Sequence, residues 1–416
     1  MTNLQKPPNN QMVMVTINRL GHLGDGIAEG PVYAARTLPG EIVTGDLDGD
    51  RIAAPKIVEP SPVRVSPSCR HYKSCGGCAL QHASDAFVAD WKIDVVRQAL
   101  LAQGLDAPIR GISTSPARSR RRAAFSGRRT KKGALVGFHG RGSGTLTEIP
   151  DCDVVSDGLK AALPALEDIT RVAGSRKGEI TFTVTQTLTG LDLRVDGAKP
   201  LDQELSMALP AIVEKHALAR LSWGDEPFLT REPPIVTMGA ARVPLPAGAF
   251  LQATEHGEQA LLSAVRDAVG DAPRIADLFA GCGTFTLPLA EHAELHAVES
   301  EPMMLAALDQ GWRHAQGLKP VTTETRDLFR RPLMADELCR FDAAVIDPPR
   351  AGAEAQMQEL ASAAIPRIAA VSCNPVTFAR DAAVLCAAGY ELGWIQIVDQ
   401  FRWSTHVELA ASFVLP

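Results

Sequence analysis

The segment Arg274–Thr286 constrains the fold most, because a short apolar run leads directly into a glycine turn and an apolar-periodic helix. Gly281 and Gly283 have no Cβ, so the backbone of this turn can approach a ligand closely. The next apolar run ends at Glu299, 22 residues after Asp277. An acid at that spacing typically hydrogen-bonds ribose hydroxyls in a doubly wound sheet. The glycine pattern is not GxGxxG, which disfavours a dinucleotide.

Two further apolar runs end in polar residues. Residues 343–346 are apolar and precede Asp347. The two prolines after Asp347 lack the N–H groups that a central strand needs. Residues 368–371 precede Ser372 and Cys373. Because the strands of a doubly wound sheet end at one crevice, these polar residues should meet there. The sequence therefore predicts a multidomain α/β protein with a Rossmann-like, doubly wound sheet at its C-terminus.

A cysteine and a glutamate near the C-terminus have the side chains required for covalent addition and elimination. Cys373 follows one apolar run, and Glu408 stands near the start of another, 35 residues later. A thiol can add to an electron-poor carbon, and a carboxylate can remove a proton to release that thiol. A lone cysteine at a strand end more often packs in a core. The catalytic interpretation therefore depends on the neighbouring strand-end motifs.

Four other cysteines form a possible metal site. Cys69, Cys75 and Cys78 have C-x5-C-x2-C spacing, and Cys152 lies far along the chain. A zinc knuckle or simply exposed thiols are alternative interpretations, although no Cys or His follows Cys78 in zinc-ribbon spacing. Three close thiolates and a remote one suit a 4Fe-4S cluster, because the fold can supply the last ligand. The remaining thiols outside the crevice are expected to be buried and unreactive: Cys282, Cys339 and Cys386.

The length of 416 residues predicts about two to three domains. Residues 12–57 alternate apolar and polar side chains between turns, which predicts a small antiparallel β-barrel over 1–58. We assign 59–248 to a central region, whose helix near 85–110 packs on the last domain, and 249–416 to the doubly wound sheet. The polar N-terminus has no secretion signal, and no apolar run approaches a membrane span. A cytoplasmic protein without a membrane partner is expected.

The strongest charge feature is a run of eight cations without an acid among them, in a chain of formal net charge −6. Such a run can be a solvated hairpin face. We favour a phosphate-binding surface, because clustered cations repel one another unless they have an anionic partner. The members of this basic run are Arg118, Arg120, Arg121, Arg122, Arg128, Arg129, Lys131 and Lys132.

The motifs occur in a recognisable order: DLFAGCGTF, Glu299, DPPRAG, SCNP and HVE. This order resembles the RNA uracil-C5 methyltransferases that use S-adenosylmethionine, and the resemblance to the 23S ribosomal RNA branch covers essentially the whole chain. It implies that Cys373 is the nucleophile, which adds to C6 of uracil, and that Glu408 is the base, which removes the C5 proton to leave 5-methyluridine. RNA is the implied partner, and we expect a monomer.

The same resemblance assigns further roles. The N-terminal barrel is similar to the OB-like TRAM domain of that branch, and the four clustered cysteines match its 4Fe-4S ligands. Phe250 is implied to lie at the target base. From the basic run, not from the resemblance, we expect Arg118, Arg120, Arg121 and Arg122 to contact RNA. Two departures are a Phe401–Thr405 segment in place of a Pro-His-Thr run, and Thr284 where relatives often have Asn. The residues implied to bind S-adenosylmethionine are Gln252, Phe279, Gly281, Gly283, Thr284, Glu299, Asp327 and Asp347.

Three rival functions remain at this stage. The same chemistry could act on transfer RNA, although the bacterial transfer-RNA enzyme lacks both the barrel and the cluster. A cytosine-C5 RNA methyltransferase would share the fold, but it typically needs a second cysteine in a Pro-Cys element, and Arg350 follows the two prolines here. A non-enzymatic iron–sulfur RNA-binding protein would not need Cys373 and Glu408 together.

Overall fold

The computed structural model describes residues 11–416, and its first sheet covers the N-terminal region. Six strands are ordered β5-β3-β2-β1-β4-β6. Alternate residues of these strands, such as Ile17, Val43 and Ile52, fill a small core of their own. The prediction about the extreme N-terminus concerns residues 1–10, which lie outside the described residues. The strands are β1 (Gln11–Leu20), β2 (Gly26–Ala28), β3 (Val32–Ala34), β4 (Ile42–Leu47), β5 (Arg51–Ile52) and β6 (Lys56–Glu59).

A cysteine-containing loop, residues 60–84, leads to helix α1 (Asp85–Leu101) and strand β7 (Ile109–Thr114). Ser84 begins α1, since its side chain accepts a hydrogen bond from the N–H of Phe87. Such a cap satisfies an amide that has no partner inside the helix. The strand β7 pairs with the C-terminal sheet rather than with its neighbours in sequence.

The central region is a seven-stranded sheet in the order β10-β9-β8-β11-β12-β13-β14, followed by a separate hairpin. Helices α3 and α4 pack on the sheet, and buried side chains such as Phe125, Leu166 and Phe182 form its core. The elements are β8 (Arg122–Arg129), β9 (Ala134–His139), β10 (Leu146–Thr147), α2 (Asp157–Ala161), α3 (Leu163–Ala173), β11 (Ile180–Thr187), β12 (Gly190–Asp196), α4 (Gln203–Lys215), β13 (Arg220–Trp223), β14 (Glu226–Thr230), and the hairpin β15 (Ile235–Met238) and β16 (Ala241–Pro244).

The C-terminal sheet has eight strands in the order β19-β18-β17-β20-β21-β23-β22-β7. Its first five strands are parallel, and β23 is antiparallel to both β21 and β22. The elements are α5 (Glu255–Val269), β17 (Arg274–Leu278), α6 (Thr286–Leu289), β18 (Glu294–Glu299), α7 (Pro302–His314), β19 (Val321–Thr325), α8 (Ala335–Leu338), β20 (Ala343–Ile346), α9 (Glu354–Ala363), β21 (Arg367–Ser372), α10 (Pro375–Ala387), β22 (Glu391–Asp399) and β23 (Glu408–Val414).

Alternation along these strands divides the C-terminal core into two layers. On β17, Ile275 packs in one layer with α5 and α7, whereas Ala276 packs in the other with α9 and α10. Successive side chains of a strand point to opposite faces, so both faces of this sheet are covered. The helix α1 contributes Val96 and Leu100 to the second layer and contacts α10.

The sheet topology affects where the boundary of the C-terminal domain can be drawn. A unit that begins at residue 249 lacks β7 and α1, although β7 is an edge strand of this sheet and α1 covers one of its faces. The ranges 1–58, 59–248 and 249–416 therefore remain predictions, and residues 85–114 belong physically with the last of them. Among the described residues, the helices are too short or too polar to cross a bilayer.

Candidate active site

The strands β17, β20 and β21 are parallel neighbours, so their carboxyl ends meet at one edge. Phe279, Asp347 and Cys373 each follow one of these strands directly. The adjacent strand β23 is antiparallel and pairs Ser372 with Leu409. Continuing that register by one residue places Cys373 opposite Glu408. Residues that lie 35 positions apart in sequence are therefore neighbours in the crevice.

Cys373 is half-buried at the start of α10. Burial raises the pKa of its thiol, the charges of Glu408 and Asp347 raise it further, and Arg350 lowers it. Asn374 fixes the turn, because its Oδ1 accepts from the N–H of Val376 at 3.1 Å and its Nδ2 donates to the carbonyl of Arg350 at 3.0 Å. The thiol is thus held among carboxyls and is mainly protonated at neutral pH.

Glu408 is buried and lies in a network of side-chain amides. Gln400 donates from Nε2 to Glu408 Oε2 and to Gln252 Oε1, the latter at 2.6 Å. The Gln400 Oε1 accepts from the backbone N–H of Thr254 at 3.3 Å. Because a backbone N–H can only donate, this contact assigns the orientation of the Gln400 amide. Gln252 must then turn its own NH₂ toward Asp347, whose Oδ2 lies 3.5 Å away.

Three carboxyls of the crevice have raised pKa values; Asp277 and Glu408 are buried and Asp347 is half-buried. Burial raises the pKa of Asp347 to about 7, and the charge of Asp277 adds to this effect. Burial likewise raises the pKa of Asp277 to about 7, with Glu299 as a further cause. The pKa of Glu408 lies well above its usual range, because of burial and the charge of Asp347. This crevice would accommodate a cation more easily than another anion.

The glycine turn adopts backbone angles that favour glycine. Phe279, Gly281 and Gly283 have φ values of 65°, 57° and 96°. A Cβ on Gly281 would meet nothing within 4 Å, so this position faces open space. A Cβ on Gly283 would lie 2.9 Å from Leu308, so this glycine serves helix packing. Of the two glycines predicted to bind a ligand, only Gly281 borders space that a ligand could use. Thr284, which follows them, is half-buried.

Two acidic residues border the same turn. Glu299 ends β18, and its Oε2 accepts from the N–H of Gly281 at 3.0 Å. Asp327 instead closes its own loop, since its Oδ1 accepts from the N–H of Phe329 at 3.0 Å. The Phe329 ring is 51% exposed and its centroid lies 5.3 Å from that of Phe279. This aromatic pair, which the sequence patterns did not single out, connects the Asp327 loop to the glycine turn.

The loop between β22 and β23 contains Phe401–Thr405, the segment that differs from the family pattern. Its base is held by a buried ion pair of 2.6 Å between Lys92 of α1 and Asp399. The carbonyl of Trp403 accepts from the N–H groups of Ala79 and Leu80, at 2.8 and 2.9 Å. The segment Phe401–Thr405 therefore binds the cysteine-containing loop immediately after Cys78.

Several arginines of the basic run have partners within the protein, and the phosphate-binding role of the run stays a prediction. Three of its arginines form ion pairs with acids from elsewhere in the chain, and Arg122 donates to the carbonyl of Gly248 at 3.4 Å. Phe250 is 60% exposed, and its ring lies 5.9 Å from the Arg122 guanidinium. The lysines of the run are exposed on the β8–β9 turn. The ion pairs are Arg118–Asp153, Arg121–Glu258 and Arg128–Glu179.

Another arginine of the run, Arg120, lies with the four clustered cysteines around one cavity of about 300 Å³. Its Nε is buried without a hydrogen-bond partner. Burial lowers the pKa of Arg120, and the thiols of Cys78 and Cys152 oppose this shift. Burial raises the pKa of Cys78 itself to about 12. A cation is therefore buried against protonated thiols, and only a negative charge in the cavity would compensate it.

The cysteine sulfurs already accept hydrogen bonds. Gly77 N–H donates to Cys75 at 3.3 Å, and Val154 N–H donates to Cys152 at 3.4 Å. Within residues 11–416, no group of three or more His, Cys, Asp or Glu is placed to hold a metal ion. Of the thiols expected to be buried, Cys282 is buried and Cys386 half-buried, but Cys339 is exposed, which corrects that prediction.

Comparison with known proteins identifies the class. A family model described as tRNA (Uracil-5-)-methyltransferase matches residues 314–414. An uncharacterized RNA methyltransferase of Brucella suis is 44% identical over 400 residues, which cover 95% of this chain and 96% of the relative. The 23S rRNA (uracil(1939)-C(5))-methyltransferase RlmD of Halomonas elongata is 32% identical over 432 residues, which cover 95% of this chain and 88% of the relative.

A solved structure shares the fold over almost the whole chain. It is the tRNA (uracil-54, C5)-methyltransferase of Pyrococcus abyssi in complex with S-adenosyl-L-homocysteine, with a TM-score of 0.75, 21% identity and coverage of 96% of this chain and 99% of that one. The fold and the crevice thus define an S-adenosylmethionine-dependent methyltransferase. The chain belongs to the RNA uracil-C5 methyltransferase family, as its motifs predicted.

Proposed function

We propose that this enzyme forms 5-methyluridine in 23S ribosomal RNA, with Cys373 as nucleophile and Glu408 as base. One observation supports the chemistry: Ser372 pairs with Leu409, and the same register extended by one residue brings Cys373 opposite Glu408. The name of the 32% identical relative supports the ribosomal substrate. Transfer RNA is the second candidate, because the family model and the solved relative both have transfer-RNA names.

The residues of the crevice fit S-adenosylmethionine, which supplies an electrophilic methyl group on a positively charged sulfonium. The acidic crevice suits that charge. Gly281 leaves the space that a bound nucleoside needs, and the Phe279–Phe329 pair offers an aromatic surface. The residues proposed to hold this ligand are Gln252, Phe279, Gly281, Thr284, Glu299, Asp327 and Asp347, whereas Gly283 lets the turn pack against Leu308.

The reaction of the uracil ring begins at Cys373. The target base must leave its stack to enter the crevice. The thiol gives up its proton to water, and the resulting thiolate forms a bond to C6, which moves electrons toward C5 and O4. C5 would then take the methyl group that S-adenosylmethionine supplies, and S-adenosylhomocysteine would be the leaving group. Glu408 removes the C5 proton, the C5–C6 double bond re-forms, and Cys373 leaves as a thiolate. A carboxylate with a raised pKa is a stronger base for this step.

We further propose that Cys69, Cys75, Cys78 and Cys152 hold a 4Fe-4S cluster with a structural role. The cavity suits an anionic group, since the buried Arg120 has no other counter-charge there. N–H groups that donate to cysteine sulfurs are a usual feature of such sites. The cluster would hold the loop 60–84 against the central sheet and takes no part in the chemical steps above.

Covalent trapping tests the proposed chemistry. RNA that contains 5-fluorouridine has no C5 proton to remove, so wild-type enzyme with S-adenosylmethionine should form a stable adduct, visible as a shifted band on a denaturing gel. Cys373→Ala should form none and should lose turnover by several orders of magnitude. The matched control Cys386→Ala changes a half-buried thiol on α10 and should trap RNA normally. Adduct formation by Cys373→Ala would refute the assignment.

The choice between ribosomal and transfer RNA needs a separate experiment. Mass-spectrometric mapping of 5-methyluridine in RNA from a deletion strain should show one uridine of 23S ribosomal RNA that has lost its methyl group. Loss confined to transfer RNA would establish the second candidate instead.

A further inference from the structure

Helix α1 has a lysine on its buried face. Lys92 lies one helical turn after Val88 and one turn before Val96, at the spacing of an apolar stripe. Its side chain is 0% exposed, and it is the single lysine among the buried residues that the structure describes. A buried ammonium loses its hydration and therefore requires a specific partner, which an apolar residue at this position would not need.

The partner of Lys92 is Asp399, at the end of β22. The ammonium donates to Asp399 Oδ1 at 2.6 Å, and the carboxylate side chain is 3% exposed. The two residues are 307 positions apart in sequence. An ion pair buried in this way stabilises a fold no better than apolar residues of similar volume, but it requires one geometry. The pair therefore fixes the end of β22 against α1.

This ion pair holds the backbone on both sides of Gln400. Asp399 precedes Gln400, and its Oδ1 also accepts from the N–H of Phe401 at 3.2 Å. The Lys92 ammonium lies 3.4 Å from the carbonyl oxygen of Phe401, which follows Gln400. The carbonyl of Asp399 accepts from the N–H of Ser115 at 2.9 Å. Lys92 therefore fixes the position of Gln400 through both of its neighbours.

The side chain of Gln400 contacts the proposed base. Its Nε2 donates to Glu408 Oε2, and its Oε1 accepts from the N–H of Thr254. Gly257, in the first turn of α5, leaves the space for this side chain, since a Cβ there would lie 2.7 Å from the Cβ of Gln400. Close packing on α5 leaves little room for a shifted Gln400. A displacement of a catalytic group by about 1 Å can slow a reaction by about 10²-fold.

We propose that Lys92 is a positioning residue for the catalytic base: through the residues that flank Gln400, it keeps the Glu408 carboxylate where it removes the C5 proton. This inference rests on the proposed function, because it assumes that Glu408 is that base. Lys92 contacts neither RNA nor S-adenosylmethionine in this role. Only the elimination step, after methyl transfer, should depend on it.

The double variant Lys92→Met/Asp399→Leu tests this role. It replaces the ion pair by apolar residues, so no uncompensated charge is buried and the protein should fold. In a single turnover with uridine-containing RNA, release of methylated RNA should slow by about tenfold or more, and a covalent protein–RNA species should accumulate. The value of kcat should fall, whereas kcat/KM for RNA should stay as in the wild type, because methyl transfer precedes the affected step. The adduct with 5-fluorouridine RNA should form normally.

Glu41→Gln is the matched control, because Glu41 is also buried and paired, with Arg64 near the N-terminal sheet. It should lower the melting temperature but leave elimination unchanged. Lys92→Arg keeps a cation beside Asp399 and should eliminate faster than the double variant. All variants are assayed below their melting temperatures. The proposal is overturned by an equal fall of kcat and kcat/KM without a trapped species, by slowed elimination in Glu41→Gln, or by no recovery in Lys92→Arg.

Glu408→Gln, assayed alongside, separates this inference from the proposed function. If Glu408→Gln traps RNA while Lys92→Met/Asp399→Leu releases its product at the wild-type rate, the positioning role alone fails. If Glu408→Gln traps no RNA and keeps its rate, the assignment of the base fails, and the positioning role fails with it.

Discussion

The active-site crevice and the cysteine cavity both bury ionisable groups, but the uncompensated charge has opposite sign. In the crevice, burial raises the pKa values of Asp277, Asp347 and Glu408. The charge of Asp277 further raises the pKa of Asp347, the charge of Asp347 further raises that of Glu408, and no cation lies among them at hydrogen-bond distance in the described residues. In the cavity, the Arg120 guanidinium faces neutral thiols. Because buried charge is costly without a counter-charge, each site indicates its ligand. The crevice suits a cation, and the cavity suits an anion.

The largest effect expected from this comparison is at Glu408. Glu408→Gln removes the base but leaves Cys373 able to attack C6, so methylation should proceed and elimination should stall. Turnover should fall by about 10²–10⁴-fold, as for other general bases, and a covalent protein–RNA species should accumulate with ordinary uridine RNA. Glu391→Gln, at an exposed position on β22, is the control. A Glu408→Gln enzyme with normal turnover and no trapped RNA would contradict the assignment.

A second test addresses the sign of the charge in the cavity. Anaerobically purified protein should be brown and contain about four irons per chain, and Cys152→Ser should lose both. Cys339→Ser, at an exposed thiol, should keep them. Arg120→Met should raise the melting temperature of metal-free protein, since it removes an uncompensated cation, and should lower that of the loaded protein. One zinc and no sulfide would replace the cluster with a zinc site.

The amide network permits a smaller and more specific test. The N–H of Gln400 stabilises the charged form of Glu408, so Gln400→Leu should raise the pKa of Glu408 further. A base with a higher pKa is protonated over a wider range of pH, so Gln400→Leu should slow elimination more at low pH than at high pH. The rate should recover as pH rises. Formation of the adduct with 5-fluorouridine RNA should be almost unchanged. A loss of rate that is equal at all pH values would indicate misfolding instead.

The smallest expected effect tests the sign of the charge in the crevice. The pKa values of Asp277 and Asp347 are raised to about 7, above the unfolded value of about 3.9. Their contribution to stability is therefore present at low pH and is lost as pH rises from about 4 to 7. Binding of the positively charged S-adenosylmethionine should reverse this loss and release protons between about pH 6 and 8, within the range of those pKa values.

S-adenosylhomocysteine, which lacks the sulfonium charge, is the matched control ligand. Calorimetric titration in buffers of different ionisation enthalpy should show more protons released with S-adenosylmethionine than with S-adenosylhomocysteine. The pH profile of Cys373 alkylation should shift downward with S-adenosylmethionine only, because a nearby cation favours the thiolate. Equal proton release and equal alkylation profiles with the two ligands would show that the sulfonium charge does not affect the ionisation of the crevice.

Several parts of the site are local in sequence and were predicted from it. A glycine turn directly after a strand, and a cysteine directly after another, depend on neighbouring residues, and parallel strands bring such ends together wherever the sheet forms. Asp347, Cys373 and Gly281 belong to this group. The helix α5 is also local, since its apolar residues recur at helical spacing and the Thr254 side chain caps its first turn.

Other features depend on contacts that only the tertiary structure reveals. The basic run has no acid in its own segment, yet Asp153, Glu179 and Glu258 reach it from distant elements and pair with three of its eight cations. The cations that line the cavity of about 700 Å³ beside the N-terminal sheet are dispersed in sequence between Arg36 and Arg141 and form no run.

By itself, therefore, the sequence determined the class of sheet, the order of its strand-end motifs and the candidate nucleophile. The tertiary structure decided the charge surroundings: which carboxyl faces Cys373, how Gln400 orients Gln252, and which arginines remain without an acid. The physical reason is that backbone geometry is set by adjacent residues, whereas the free energy of a charge depends on every group within a few ångströms, whatever its distance along the chain.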